Sequence, residues 1–305
     1  MSIRVADLAA QLLALSKPLA AFDMPLLDSH GATLASDVSF KDRVVLRSGS
    51  RIRATQIGLA AAIGLDRLPT RPQPRVVVVS VGDDLVEPGS QLSDSEDEFE
   101  TNSWLLTTAV KEAGGVGYRV TTVPENSESL KDVIEDQLVR ADLLVICGES
   151  HDESFESIFK VIKELGEVQS VMPNIEASGA HAFGTIGPDK TPIVVLPGDP
   201  ISAYISMELF IRPMIRNMLG LNDIHRPIAR ATLTNEIESS PGKHSFIRAS
   251  LNGDKPERRL VTALDNQDDL VTLSDATGLI VMNEETTRLK AGEEVDVLLL
   301  ERRFN

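Results

Sequence analysis

Apolar residues recur at Val5, Leu8, Leu12 and Leu15, the spacing of one helix face, and predict an amphipathic helix ending near Lys17 and Pro18. A second helix is expected over residues 55–63, closed by Gly64, with a short extended stretch between the two. The Pro-rich run from Pro69 to Pro74 reads as a linker. Directly after it, four consecutive valines, Val76 to Val79, have the unbroken apolar character of a strand buried on both faces. Strand-like runs follow at residues 118–123, 143–147 and 193–196. Helical patterns lie among them at 105–113, 130–138, 155–165 and 201–219, with Ser129 and Asp132 placed for a capping box. Strands alternating with helices predict a mainly parallel, doubly wound α/β sheet.

After Gly220 the pattern changes to short strands with turn signals, at 229–234, 246–251, 259–264, 278–282 and 294–300. These predict a small all-β unit, closed or sandwich-like. The chain therefore divides into residues 1–68, an N-terminal helical and extended domain; 69–220, the α/β domain; and 221–305, the small β domain.

With 305 residues, 42% hydrophobic and 25% charged, the chain has the composition of a folded globular protein of two or three domains. A net charge of −16 argues against nucleic acid, whose backbone demands clustered cations. Cys147 is the only cysteine, which excludes an internal disulfide and a Cys-pair zinc site. No apolar run reaches membrane-spanning length and the N-terminus lacks a signal-peptide pattern. A cytoplasmic protein without direct membrane insertion is the expectation.

Ligands of open parallel sheets bind outside the carboxyl ends of the strands, which directs attention to four loops. The first runs from Ser80 to Asn102 and holds eight acidic residues and no Lys or Arg. Its Gly82-Asp83-Asp84 turn has the carboxylates to hold magnesium, and Thr101-Asn102 opens a helix whose N–H groups suit an anion; a plain turn and helix cap fit equally. The second, after Cys147, offers Glu149, His151 and Asp152 to a metal, or is a polar surface loop; it lacks the G-x-S-x-G elbow of a hydrolase. The third, residues 173–184, is rich in small residues and again without cations. The fourth carries Pro197, Gly198, Asp199 and Ser202 on a rigid turn into a helix, suited to capping a polar ligand or to structural use alone.

At Ser80 to Gly89, Glu100 to Asn102, Ala182 to Gly184, Leu196 to Ser202, Gly278 to Ile280 and Ala291 to Glu293, the chain resembles the molybdopterin molybdenumtransferases, the MoeA family, which includes the E domain of gephyrin. The resemblance implies an elongated homodimer: an N-terminal domain, an inserted domain, an α/β domain that holds molybdopterin and a C-terminal β-barrel. Enzymes of the family insert molybdate into adenylylated molybdopterin with magnesium and release AMP. Carried onto this chain, the cofactor-binding positions are Gly82, Asp83, Asp84, Thr101, Asn102, Pro197, Gly198, Asp199 and Ser202, with magnesium on Asp83 and Asp84, joined by Asp199. Likeness of Lys255 to Arg258 to the peptide-contact turn of gephyrin adds Pro256 and Arg258 as partner-binding positions; an ordinary hairpin turn fits the same residues.

The chain departs from the family at several points. It passes from Val38 to Val44 where the inserted domain belongs, and the glycine-rich loop has become Gly148 to Glu156. The family's K-P-G-K-P falls on Glu176 to Ala180, so that both lysines are lost and one becomes an acid. Molybdate and an adenylylated pyrophosphate bring several negative charges into one pocket, and like charges at ~4 Å cost about 1 kcal/mol in water and several in a cleft. The expectation is a catalytically degenerate dimeric scaffold that binds a peptide segment of a partner protein, with cell-division or cytoskeletal proteins suggested by analogy, and with no cofactor. The alternative is a molybdenum-cofactor enzyme using magnesium and molybdopterin.

Overall fold

The four valines set the centre of the molecule. In the computed structural model, which describes residues 2–95, 97–148, 152–253, 258–267 and 269–300, they lie in the strand Arg75–Val81. Successive side chains of a strand point to opposite faces, so Val76 and Val78 enter one apolar layer and Val77 and Val79 the other. The strands Leu143–Cys147 and Thr191–Leu196 divide in the same way. Helices Val5–Leu15 and Asn102–Ala113 and the helical run from Pro200 cover the first layer; Ser127–Leu138 and Asp152–Leu165 cover the second. Both faces are buried, as a doubly wound sheet requires.

The sheet has seven strands in the order Ser2–Ile3, Gly166–Pro173, His181–Ile186, Thr191–Leu196, Leu143–Cys147, Arg75–Val81 and Val116–Val123. Pairing is parallel except on the two sides of His181–Ile186, which runs against both neighbours. Residues 173–184, expected as a loop, are corrected by this hairpin: only 174–180 remain irregular. Gly184 fits there because a Cβ would collide with the Glu167 carbonyl and Val168 Cα of the paired strand. Ser2–Ile3 extends the same edge by pairing with Met172 and Pro173, and the first helix packs on the central sheet through Leu8 and Leu12.

Helix termini differ from expectation in two places. The helix Ser127–Leu138 is capped by Asn126, whose side chain accepts from Ser129 N at 2.8 Å, so Ser129 is inside the helix and no box forms with Asp132. The expected single helix over 201–219 is Pro200–Ser206, a wide π turn Met207–Ile211 and Arg212–Met218. Pro213 follows the wide turn and has no N–H to donate to the residue four back, a common setting for such a turn.

The N-terminal unit is a three-stranded antiparallel sheet, Phe22–Pro25, Arg67–Arg71 and Thr33–Leu34, with helix Ala54–Ala62, over a core of Leu34, Val38, Leu46, Ile52, Ala60 and Leu68. The presumed linker 69–74 is half strand: Pro69 and Thr70 pair with Asp23 and Phe22. Where the resemblance leads one to expect an inserted domain, strands Val38–Phe40 and Arg43–Leu46 form a hairpin closed by Lys41 and Asp42, both left-handed with φ of 50° and 59°. Two positive-φ residues are what a tight type I′ turn needs.

The C-terminal unit is a closed barrel of Ile228–Leu233, Leu260–Ala263, Ser245–Asn252, Gly278–Met282 and Glu294–Leu299. Ala231, Ala249, Val261, Ile280 and Val297 fill its interior. Phe246, Leu279, Leu298 and Leu300 instead join the core of the central domain, fixing the barrel against it.

Candidate functional site

The loop from the strand Thr191–Leu196 into the helix Pro200–Ser206 is the best-defined part of the site. Asp199 caps that helix, its Oδ2 accepting from Ser202 N at 2.8 Å, and Pro200 supplies the preset φ of a first helical residue. Ser202 donates through Oγ to the Ala177 carbonyl at 2.7 Å, tying this turn to the third loop. Asn102 donates through Nδ2 to the Gly198 carbonyl at 2.6 Å, tying it to the first. Four expected site residues, Asn102, Gly198, Asp199 and Ser202, are thus brought together.

Between these loops and the barrel lies a cleft of about 250 Å³ lined by Ile175, Glu176, Ser178, Asp199, Ser202 and Arg248, among others. Ser178 Oγ, on this lining, is buried and finds no hydrogen bond among the described residues, as does Asn102 Oδ1 at the start of the helix Asn102–Ala113. The cleft offers one guanidinium against two carboxylates. Arg248 comes from the barrel strand Ser245–Asn252 and is 7% exposed. Nothing local in the sequence marks it, because it reaches the cleft only through the docking of barrel on sheet.

Glu176 does not face the cleft as a free charge. Its carboxylate accepts from Ser240 N at 3.0 Å, from Ser240 Oγ at 2.6 Å and from Ser245 Oγ, all in the C-terminal unit. Burial works against ionisation, but these donors outweigh it and hold the carboxyl below the usual range. Backbone bonds between Glu176 N and the His244 carbonyl and between His244 N and the Asn174 carbonyl, each 2.8 Å, complete the tie. The sequence shows the acid at this position but not the barrel serines that absorb it.

Glu100, 1% exposed, is likewise committed. It accepts from Ser80 Oγ at 2.6 Å, from Ser103 N at 2.7 Å and from Ser103 Oγ, with Arg119 at 3.5 Å. Arg119 also pairs with Glu87, donates to Ser103 Oγ at 2.7 Å and stacks 4.2 Å from the Trp104 ring centroid. Burial, with a contribution from Glu100, pushes the Cys147 thiol up, so the one cysteine is not a nucleophile at neutral pH.

The remaining predicted residues lie elsewhere. Gly82 N bonds the Val123 carbonyl and Asp83 Oδ1 accepts from Glu125 N at 3.1 Å, which places this turn over the strand Val116–Val123. Thr101 turns its hydroxyl to the Phe99 carbonyl at 3.0 Å. Among the described residues no group of three His, Cys, Asp or Glu side chains is arranged to hold a metal, so Asp83, Asp84 and Asp199 do not form a magnesium cage. The unpartnered Ser178 hydroxyl on the cleft lining suits a polar ligand. Pro256, Glu149 and His151 lie outside the described residues, as does the Asp152 side chain; Arg258 is exposed. No helix among the described residues is long and apolar enough to cross a membrane.

Comparison with known proteins agrees with this architecture. Residues 77–217 match the family described as "Probable molybdopterin binding domain", and residues 230–300 match "MoeA C-terminal region (domain IV)". Molybdopterin molybdenumtransferase 1 of Mycobacterium tuberculosis is 33% identical over 263 residues, 84% of this chain and 62% of that protein. The gephyrin of Dictyostelium discoideum is 23% identical over 301 residues, 88% of this chain and 42% of its own length. The chain therefore spans less than two thirds of the length of the curated relatives it matches. A molybdopterin biosynthesis MoeA protein from Pyrococcus horikoshii superposes with a TM-score of 0.84 at 19% identity, covering 99% of this chain and 100% of that one. Matched in both of its larger domains and across the whole fold, the chain belongs to the MoeA family.

Proposed function

We propose that this chain is a catalytically silent member of the family, kept as a homodimeric cytoplasmic scaffold that binds a peptide segment of a partner protein. The observation that carries the reading is the fate of Glu176. The resemblance places this acid where the family carries a lysine, and its carboxylate is bonded to Ser240 and Ser245 of the barrel unit. Arg248 is then the one Lys or Arg among the residues lining the cleft, which also include Asp199. Transferring molybdate onto an adenylylated pterin requires fixed positive charge where negative charge develops, and one guanidinium beside a carboxylate supplies little.

A second reading, molybdate insertion into adenylylated molybdopterin, is favoured by the 33% identity to the mycobacterial transferase and by the Asn102–Gly198 contact between the first and fourth loops. One assay separates the two. Purified protein is given adenylylated molybdopterin, magnesium and molybdate, and AMP is measured. No molybdate-dependent AMP above the no-enzyme control is expected, and release at the rate of a competent family enzyme assayed alongside would sink the scaffold reading. A pull-down from native cytoplasm, with Arg258→Ala as the comparison, tests the peptide partner.

A further inference from the structure

Within this acidic chain the N-terminal unit has a positive balance: residues 16–73 hold eight Lys or Arg against five Asp and no Glu, in a protein of net charge −16. From Arg43 to Leu65 the chain carries four arginines and no acid. Lys41, just before them, lies 5.3 Å from the Phe40 ring. Several arginines of the other two units are tied to carboxylates, as Arg75 is to Asp142, Arg226 to Glu208 and Arg288 to Glu236. Among the described residues Arg43, Arg47, Arg51 and Arg53 enter no ion pair.

The backbone brings two of these arginines to one place. Ile52 is fully buried; its N–H donates to the Ala32 carbonyl at 2.8 Å and its carbonyl accepts from Gly31 N at 2.9 Å. Side chains alternate along an extended backbone, so Arg51 and Arg53, on either side of Ile52, both turn outward and are exposed. With His30, Gly31, Ser50 and Gln56 they line an open cleft of about 460 Å³, the size of a small-molecule site. None of its lining residues is an Asp or Glu. Gln56 Oε1 accepts from Arg53 N at 3.2 Å and from Thr55 Oγ1 at 2.9 Å, which leaves its amino group as the end without a partner among the described residues. Two guanidiniums, that amino group, the Ser50 hydroxyl and the His30 imidazole make a lining of hydrogen-bond donors.

We propose that this cleft is a binding site for phosphate, either the free ion or the monoester of a small molecule, held by the N–H groups of Arg51 and Arg53. The planar guanidinium fork meets a phosphate through two parallel charge-assisted bonds. A peptide carboxylate offers two oxygens and one charge, whereas a phosphate group offers three oxygens and a charge near −2. Five donor groups with no acid among them match the larger demand. A concave site on a chain of net charge −16 also favours a small ligand over the long charge run of a nucleic acid.

The site lies outside the Arg248 cleft and goes beyond the scaffold reading: molybdate-dependent AMP release would end that reading and leave this one standing. The test is calorimetric titration of the full chain with glycerol phosphate and, separately, inorganic phosphate at about pH 7.5, above the second pKa of a phosphate ester. Saturable binding is expected; tighter binding of glycerol phosphate assigns the site to an ester, and equal binding to the free ion. Arg51→Ala with Arg53→Ala is expected to raise Kd by about tenfold or more, and Arg51→Lys with Arg53→Lys, which keeps the charge without the fork, by less. Arg43→Ala with Arg47→Ala removes the same charge from exposed positions outside the lining and is expected to change Kd by no more than about twofold. Unchanged melting of each variant shows that folding is intact, as expected for exposed side chains. The proposal fails if neither phosphate binds the wild type, if an acidic Asp-Glu peptide binds where they do not, if the Arg51 and Arg53 alanines bind as wild type, or if the Arg43 and Arg47 pair loses as much.

Discussion

The carboxylate of Glu176 and the hydroxyl of Ser240 meet at 2.6 Å across the boundary between the α/β domain and the barrel. With Ser240 N and Ser245 Oγ also donating, this acid works as a latch between two domains.

Glu176→Gln is therefore expected to lower stability at pH 7 by about 1 kcal/mol, the lower end for hydrogen bonds to a partly exposed charged acceptor. The folded-state pKa lies below the unfolded one, so the contribution is full above the ordinary carboxylate range and fades as pH falls through the depressed value. Urea unfolding at pH 7 and at about pH 3 checks this. Equal stability of the two proteins at pH 7 would remove the latch.

His181 carries a second pH signature. It is fully buried, with Nε2 2.8 Å from Ser206 Oγ and Nδ1 3.1 Å from the Gly179 carbonyl, and burial lowers its pKa to about 4. An unfolded chain binds the proton near pH 6.5 and the folded one does not, so stability declines as pH falls from about 6.5 to about 4. The full loss is about 3 kcal/mol at 1.4 kcal/mol per unit. Thermal melts across that interval should show it, and a His181→Gln protein with the same slope as wild type would refute it.

Arg119→Ala leaves Glu100 buried without its cation and is expected to cost about 3 kcal/mol, the range for breaking a buried pair from one side. Arg119→Lys keeps the charge but loses the flat stack on Trp104, and should cost less. Trp104 is the only tryptophan, so its fluorescence reports the stack directly. An emission spectrum unmoved by Arg119→Ala would contradict the geometry.

The turn at Lys41 and Asp42 places two ordinary L-residues in the left-handed region. Replacing them by Asn and Gly is expected to raise stability by about 1 kcal/mol, since Asn-Gly adopts the type I′ turn at the least cost. A melting temperature that falls would mean that Lys41 contributes more through Phe40 than the backbone gains.

Much of this fold is legible in the chain because both-face burial leaves a local trace. Val76 to Val79 announce the central strand, and the helix Val5–Leu15 falls where its apolar spacing places it. The strand His181–Ile186 is not legible, since Ala182 and Gly184 are small for close backbone approach and resemble loop residues until the partner strand is known. The same limit governs the site. Asn102, Gly198, Asp199 and Ser202 sit on turns with local signals, whereas Arg119 and the serines that hold Glu176 act at separations of 16 to 69 residues, and Arg248 through domain docking. Charge counted along a loop also misleads when the structure commits the charged group to partners elsewhere, as it commits Glu176 to the barrel serines and Glu100 to Ser80, Ser103 and Arg119.

The hairpin at Lys41 and Asp42 has a consequence for how such proteins are assembled. Phe40 and Arg43 are paired neighbours, so the chain leaves and re-enters the N-terminal unit at one point. A folded module whose own ends lie close together can be spliced in or excised there without disturbing the surrounding core. The position is thus a natural graft site, where a reporter domain or a relative's inserted domain can be installed as a cassette.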